Sequence, residues 1–212
     1  MRKSRLTAVL VSVLLLAGPV FAGQRGPGGK TRIVLIVDSS SPVASMLTHF
    51  RAALNSFLEA LPGEPEIAII STGGQLRIRA APTTDRTKLR AVADGFAADG
   101  GGNSFLDTLL EADRRFLKTA ADRRSIFVIL TTDSGAAVAE VRIDAYNKFA
   151  TEFQTRGGRA HALVVRGVNS GMTTQIAENL TRNTGGYYDV VGIANALPKL
   201  MKVMAEYVGA DL

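Results

Sequence analysis

The chain has 212 residues, 46% of them hydrophobic, which suits one globular domain with a sizeable core. Its formal charge of +6 is no nucleic-acid signature, because Lys and Arg alternate with acids, as in Asp113-Arg114-Arg115 and Asp122-Arg123-Arg124, and no basic stripe is interleaved with aromatics. The absence of cysteine excludes disulfides, thiol chemistry and cysteine-zinc sites, so stability rests on the core.

Arg2, Lys3 and Arg5 precede an uncharged run with a Leu/Val-rich centre, then Gly18-Pro19 and the small-x-small pattern Val20-Phe21-Ala22. This predicts a secretory signal over residues 1–22, cut after Ala22. Its loss would remove three basic and no acidic residues, lowering the formal charge from +6 to +3. The strongly apolar part, Ala8 to Ala17, is shorter than the roughly 20 residues a spanning helix needs, so membrane attachment is expected only if the signal is uncleaved. Residues 23–31 read as a Gly/Pro-rich linker. Gly29-Lys30-Thr31 imitates the end of a phosphate-binding loop, but Gln24 stands where that loop needs its first glycine, and a strand, not a helix, follows.

A domain is expected over 32–209. Residues 32–37 form a continuous apolar strand, and Val43, Met46, Leu47, Phe50, Leu54, Phe57, Leu58 and Leu61 recur at helical spacing behind it. "EIAIIS" (66–71) is a second buried strand. A Thr72-Gly73-Gly74 turn leads to "QLRIRA", where Leu76 and Ile78 alternate with outward Arg77 and Arg79, predicting an antiparallel edge strand. One helix follows Asp85, and a second follows "ADGGGNS". "SIFVILT" (125–131) is the most apolar strand after the first and is expected at the centre, ending in Thr132-Asp133-Ser134-Gly135. A helix from about Val138 to Thr155, the strand "AHALVV", a helix from Thr173 to Arg182, the short strand "YYDVV" and a helix from Ala194 to Val208 complete the pattern. This alternation implies an α/β, doubly wound, mainly parallel six-stranded sheet with one antiparallel edge strand and helices on both faces.

Ligands of such sheets bind at the carboxyl ends of the strands, near the point where strand order reverses. Asp38 and Asp133 each end a buried-looking strand, and "GGGNS" (100–104) is a glycine-rich loop ahead of a helix. Converging, these loops would assemble two carboxylates, the hydroxyls of Ser39, Ser40 and Ser41, and the Asn103 amide or Ser104 hydroxyl. Such an all-oxygen set suits Mg²⁺, Mn²⁺ or Ca²⁺, not zinc. Each piece also has a structural reading. Ser41-Pro42 fits a helix cap followed by proline at the first position, Asp133 fits a turn, and Ser104 fits a cap. His49 and His161 lack a second ligand at metal spacing, Tyr187 and Tyr188 fit strand packing, and the Asn179 glycosylation sequon falls within a predicted helix. No Gly-x-Ser-x-Gly elbow is present, and no histidine is placed by sequence to activate Ser39, Ser40 or Ser41.

Four segments in this order, "IVLIVDSSS" (33–41), "GGNSFLDTLLEA" (101–112), "FVILTTD" (127–133) and "IAENLTRNTGGYYDV" (176–190), resemble the von Willebrand factor type A (VWA) domain from about Arg32 to Tyr207. That family's metal-ion-dependent adhesion site (MIDAS) uses D-x-S-x-S, a threonine in a G-G-T-type loop, and a later aspartate. The resemblance places these at Asp38 and Ser40, at Asn103 with Ser104 as the neighbouring hydroxyl, and at Asp133. The third position of the first motif is Pro42, which has no side-chain oxygen, and Asn103 replaces the threonine. The resemblance implies a Rossmann-like fold and an exported, periplasmic or secreted, non-catalytic module that binds another protein. The partner would offer an acidic side chain to the rim of a divalent-cation site with reduced affinity. The alternatives are a metal-assisted hydrolase or phosphatase using Asp38 and Asp133, and a metal-free structural subunit of an envelope complex.

Overall fold

A computed structural model describes residues 30–133, 142–167 and 171–212. The expected signal and nearly all of the linker lie outside them, as do the start expected for the helix at Val138 and Ser134-Gly135 of the turn after Asp133. Among the described residues no helix is long and apolar enough to cross a membrane.

Six strands form one sheet: β1 (Thr31–Val37), β2 (Glu66–Ser71), β3 (Arg77–Thr83), β4 (Arg124–Thr132), β5 (Arg159–Val165) and β6 (Tyr188–Val191), in the order β3-β2-β1-β4-β5-β6. All pairings are parallel except β2 with β3. Ile33 to Val37 of β1 and Ile126 to Leu130 of β4 are apolar without a break because both faces are covered. Odd residues of β1 (Ile33, Leu35, Val37) enter one core with Phe50, Leu54 and Phe57 of α1 (Leu47–Ala60), Leu89 of α2 (Arg86–Asp94) and Met201 and Met204 of α6 (Leu197–Ala210). Even residues (Val34, Ile36) enter a second core with Phe105 and Leu109 of α3 (Phe105–Ala112), Phe149 and Phe153 of α4 (Ile143–Thr155) and Leu180 of α5 (Met172–Thr184). The period of two in β1 thus divides the helices into two layers.

Local chemistry sets several ends. Asp85 caps α2 by accepting from the Thr87 and Lys88 amides at 3.0 and 3.1 Å, an arrangement contributing about 1 kcal/mol. Gly185 closes α5 at φ 71°, which a β-carbon would strain. Two expectations change. The first helix begins as a 3₁₀ turn, Ser41–Met46, and α6 is preceded by a turn at Ala194–Ala196. The edge strand also departs from strict alternation: register shifts against β2 leave Ile78 exposed and turn Arg79 inward, over the Phe96 ring and onto Asp99. A bulge inverts which residues face the sheet, so the pattern of Leu76 to Arg79 was a poor guide to side-chain direction.

Strand order reverses between β1 and β4, since the chain leaves β1 for β2 on one side and later fills β4, β5 and β6 on the other. Their carboxyl ends deliver Asp38 and Asp133 to that crevice.

Candidate cation and binding site

The turn after β1 is held by the neighbouring loops. The Asp38 amide donates to the Leu130 carbonyl at 2.9 Å, continuing the β1–β4 pairing by one residue. The Ser39 carbonyl accepts from the Asp99 and Gly100 amides at 2.7 and 3.2 Å, and the Ser39 hydroxyl accepts from the Gly73 amide at 2.9 Å. A β-carbon on Gly73 would collide with the Ser39 carbonyl, so only glycine lets the two backbones approach this closely. Residues 72–74 and 102–104 add a short antiparallel bridge, with Gly74 N to Gly102 O at 2.8 Å and Ser104 N to Thr72 O at 3.0 Å. Gly100 and Gly101 adopt φ of 82° and 68°, the left-handed turn that aims Asn103 inward.

Asp38 is fully buried. Its Oδ1 accepts from the Ser40 amide at 2.7 Å, and its Oδ2 accepts from the Thr132 amide at 3.0 Å, from the Thr132 hydroxyl, and from Asn103 Nδ2 at 3.0 Å. Thr72 Oγ1 stands 3.4 Å from Oδ1 but donates its one hydrogen better to Asn103 Oδ1 at 2.6 Å. Ser40 is 1% exposed, and among the described residues its hydroxyl has no hydrogen-bond partner. Asp133, also buried, points its Oδ2 at the N-terminus of α5, accepting from the Gly171 amide at 2.6 Å and from the Thr174 hydroxyl. Neither carboxylate is paired with a basic side chain among the described residues.

The expected residues therefore gather at one sheet end but play different parts. Ser41 donates to the Gly101 carbonyl at 3.2 Å rather than capping the turn, and Ser104 donates to the Gly74 carbonyl at 3.0 Å, so both hydroxyls pin loops. Asp133 does more than fill a turn: it fixes the start of α5. His161 lies apart in β5, its Nδ1 accepting from the Tyr187 amide and its Nε2 facing Asp211, at 3.1 Å each. Tyr187 stacks on Tyr207, and Asn179 accepts from Tyr146 at 2.7 Å within α5.

Sequence reasoning missed Asp99. Its side chain is 8% exposed and accepts from Ser39 at 2.7 Å, Ser71 at 3.2 Å and Arg79, with Arg77 at 3.4 Å. Burial pushes its carboxyl up, but the Ser39 and Arg79 hydrogen bonds, the Arg79 charge and Ser71 together hold it below the usual value of 3.8. An acid immediately ahead of three glycines was the available signal. Thr72 and Thr132 were missed as well, although both adjoin residues already singled out.

Among the described residues no cluster of three or more Asp, Glu, His or Cys could hold a metal. The set at hand is one carboxylate and neutral oxygens. The Ser40 hydroxyl, unpartnered among the described residues, fits a hard divalent cation, whereas Asn103 fits one only through its oxygen, because its nitrogen faces Asp38.

Residues 33–135 match the family described as von Willebrand factor type A domain. No curated protein sequence matches significantly. Solved structures share the fold. A von Willebrand factor type A protein from Catenulispora acidiphila is 14% identical, with a TM-score of 0.68 over 84% of this chain and 42% of that one. Proximal thread matrix protein 1 from the mussel byssus, with a zinc-occupied MIDAS motif, is 13% identical, with a TM-score of 0.63 over 85% and 48%. Manganese-loaded TRAP protein from Plasmodium vivax is 15% identical, with a TM-score of 0.59 over 84% and 74%. This chain thus spans under half the length of the first two. Likeness at such identities establishes the fold, and two of these relatives carry a divalent ion.

Proposed function

We propose that this chain, which has the von Willebrand factor type A fold and matches that family over residues 33–135, is an exported, non-catalytic module that binds another protein through the loop face around Asp38. The carrying observation is the buried Ser40 hydroxyl, which has no partner among the described residues, on the residue whose amide binds the buried Asp38 carboxylate at the switch point of the sheet. Uncompensated buried polar groups are uncommon; the hydroxyls of Thr108 and Tyr188 share this condition among the described residues, but only that of Ser40 belongs to the turn whose amide Asp38 binds, where a bound ion would complete it. Asp38 and Ser40 would hold a divalent cation, with Asn103 contributing its amide oxygen; Asp133 would contribute negative charge from the α5 side. When bound, such a cation offers a coordination position to a carboxylate of the partner. The residues' own work is to hold that position: Ser39, Asp99 and Gly73 brace the turn, and Ser41 and Gly101 form the exposed rim.

The test is capture of the partner from the native source by the processed chain, followed by reconstitution with the purified partner. Ser41→Arg adds bulk and charge at the rim, gives up only the exposed hydrogen bond to Gly101, and is expected to abolish binding while lowering Tm by no more than one such bond does. Glu64→Arg, on an exposed loop before β2, should bind normally. Equal binding by both variants would place the interface elsewhere. If binding by the unsubstituted chain survives EDTA, the cation takes no part in it. Turnover in a Mg²⁺-supplemented screen of phosphatase and esterase substrates, abolished by Asp38→Ala, would favour the hydrolase alternative.

A further inference from the structure

We infer that Asn103 is an internal competitor for the cation: its amide nitrogen holds the Asp38 carboxylate when no cation is bound, and cation uptake requires that amide to rotate. The inference rests on Asp38 and Ser40 forming the cation position proposed above.

Three acceptors fix the present orientation. Asn103 Nδ2 lies 3.0 Å from Asp38 Oδ2, 2.9 Å from Thr131 Oγ1 and 3.2 Å from the Thr132 carbonyl. A carbonyl and a carboxylate can only accept, so nitrogen must face them; rotation by half a turn would bring the amide oxygen against both. On the other side Asn103 Oδ1 takes the Thr72 hydroxyl at 2.6 Å, and that hydroxyl can equally accept from a rotated nitrogen. Rotation is therefore opposed by the Asp38 carboxylate and the Thr132 carbonyl, and a divalent cation would remove the charged and larger part of that opposition, the carboxylate. The backbone of Asn103 is pinned by the Gly74–Gly102 and Ser104–Thr72 hydrogen bonds, so the change is confined to the side chain.

A two-state element follows, in which nitrogen-in is the metal-free form and oxygen-in the loaded one. Cation affinity is lowered by the free energy of rotation, and the domain keeps its site intact without metal. Threonine or serine at this position would present a hydroxyl without opposing the cation. Aspartate would add a second negative charge beside Asp38 and make the site dependent on metal.

Mn²⁺ titration, followed by the EPR signal of free ion, should show Asn103→Thr binding more tightly than the unsubstituted chain by about ten- to a hundredfold. In EDTA, Asn103→Asp should melt below the unsubstituted chain and recover with Mg²⁺, while the unsubstituted chain melts at the same temperature with and without EDTA. A second reading needs no variant: the Asn103 side-chain amide resonances in a ¹⁵N spectrum should move on saturation with diamagnetic Mg²⁺. Equal Mn²⁺ affinity of Asn103→Thr and the unsubstituted chain, or unmoved amide resonances in a chain that demonstrably binds Mg²⁺, would overturn the competition while leaving the cation position standing. If none of the three proteins takes up Mn²⁺, the cation position itself is wrong and the competition falls with it.

Discussion

Asp38→Ala distinguishes a carboxylate that the protein has already satisfied from one that merely waits for a cation. A buried charge without compensation is unfavourable, and its removal would be neutral or stabilising. Here, however, removal orphans two buried backbone amides, those of Ser40 and Thr132, at 2.7 and 3.0 Å from the lost oxygens. Asn103 Nδ2 keeps two other acceptors, and the Thr132 hydroxyl can turn, so these lose less. At about 1–3 kcal/mol for each orphaned donor, the expected destabilisation is about 2–6 kcal/mol, with the lower half favoured if water enters the space left behind. That is a substantial fraction of the roughly 5–15 kcal/mol that holds a domain folded. Urea unfolding at pH 7 in EDTA, followed by circular dichroism, measures it directly. A variant as stable as the parent, or more stable, in EDTA would show that the hydrogen bonds to Asp38 do not hold the loops.

Asp99 gives a pH dependence of known sign. Its folded-state value lies below 3.8, so its contribution is present above the unfolded value and is lost as pH falls through the folded one. Asp99→Asn should therefore flatten the acid limb of the stability curve below about pH 4 relative to the parent, read as urea midpoint against pH; parallel curves would refute the assignment. Gly73→Ala should be far more damaging than Gly157→Ala: the first drives a β-carbon into the Ser39 backbone, whereas the second meets nothing within 4 Å and bears only the roughly 1–2 kcal/mol of a left-handed φ. Equal unfolding midpoints for the two would contradict the close approach of the loops. Ser40→Ala should leave stability in EDTA unchanged or raised, because it removes a buried hydroxyl that has no partner among the described residues, yet weaken Mn²⁺ binding; a clear loss of stability in EDTA would show that this hydroxyl has a partner.

The sheet was legible because both of its central strands are apolar without alternation, a pattern that only two covered faces produce. The edge strand was legible as an element but not in its side-chain directions, since bulges are set by pairing with β2 and leave little local mark on Leu76 to Arg79. The loops that gather around Asp38 could likewise be named from sequence. Their hydrogen bonds could not, because Ser39 with Asp99, Thr72 with Asn103 and Thr132 with Asp38 join residues from different strand ends. Which oxygen of a polar loop is left over depends on all the others being counted.

Pro42 shows why that count matters. Aligned on the D-x-S-x-S motif, it is a lost ligand; read locally, it is a helix start with Ser41 as the cap. The structure keeps Pro42 in the first turn of the helix but places the cap at Ser40, one residue earlier. Lacking an N–H, Pro42 helps set a 3₁₀ turn in which the Val43 amide donates to the Ser40 backbone carbonyl at 3.0 Å, so Ser40 occupies the cap position without using its hydroxyl there. Ser41 meanwhile spends its hydroxyl on Gly101. The proline that removes one oxygen from the motif thereby belongs to the turn in which the Ser40 hydroxyl is buried without a partner among the described residues, while the Ser40 amide binds Asp38. At the proposed cation position, affinity would depend on two side chains acting in opposite directions: Ser40, whose hydroxyl would coordinate, and Asn103, whose nitrogen holds the carboxylate.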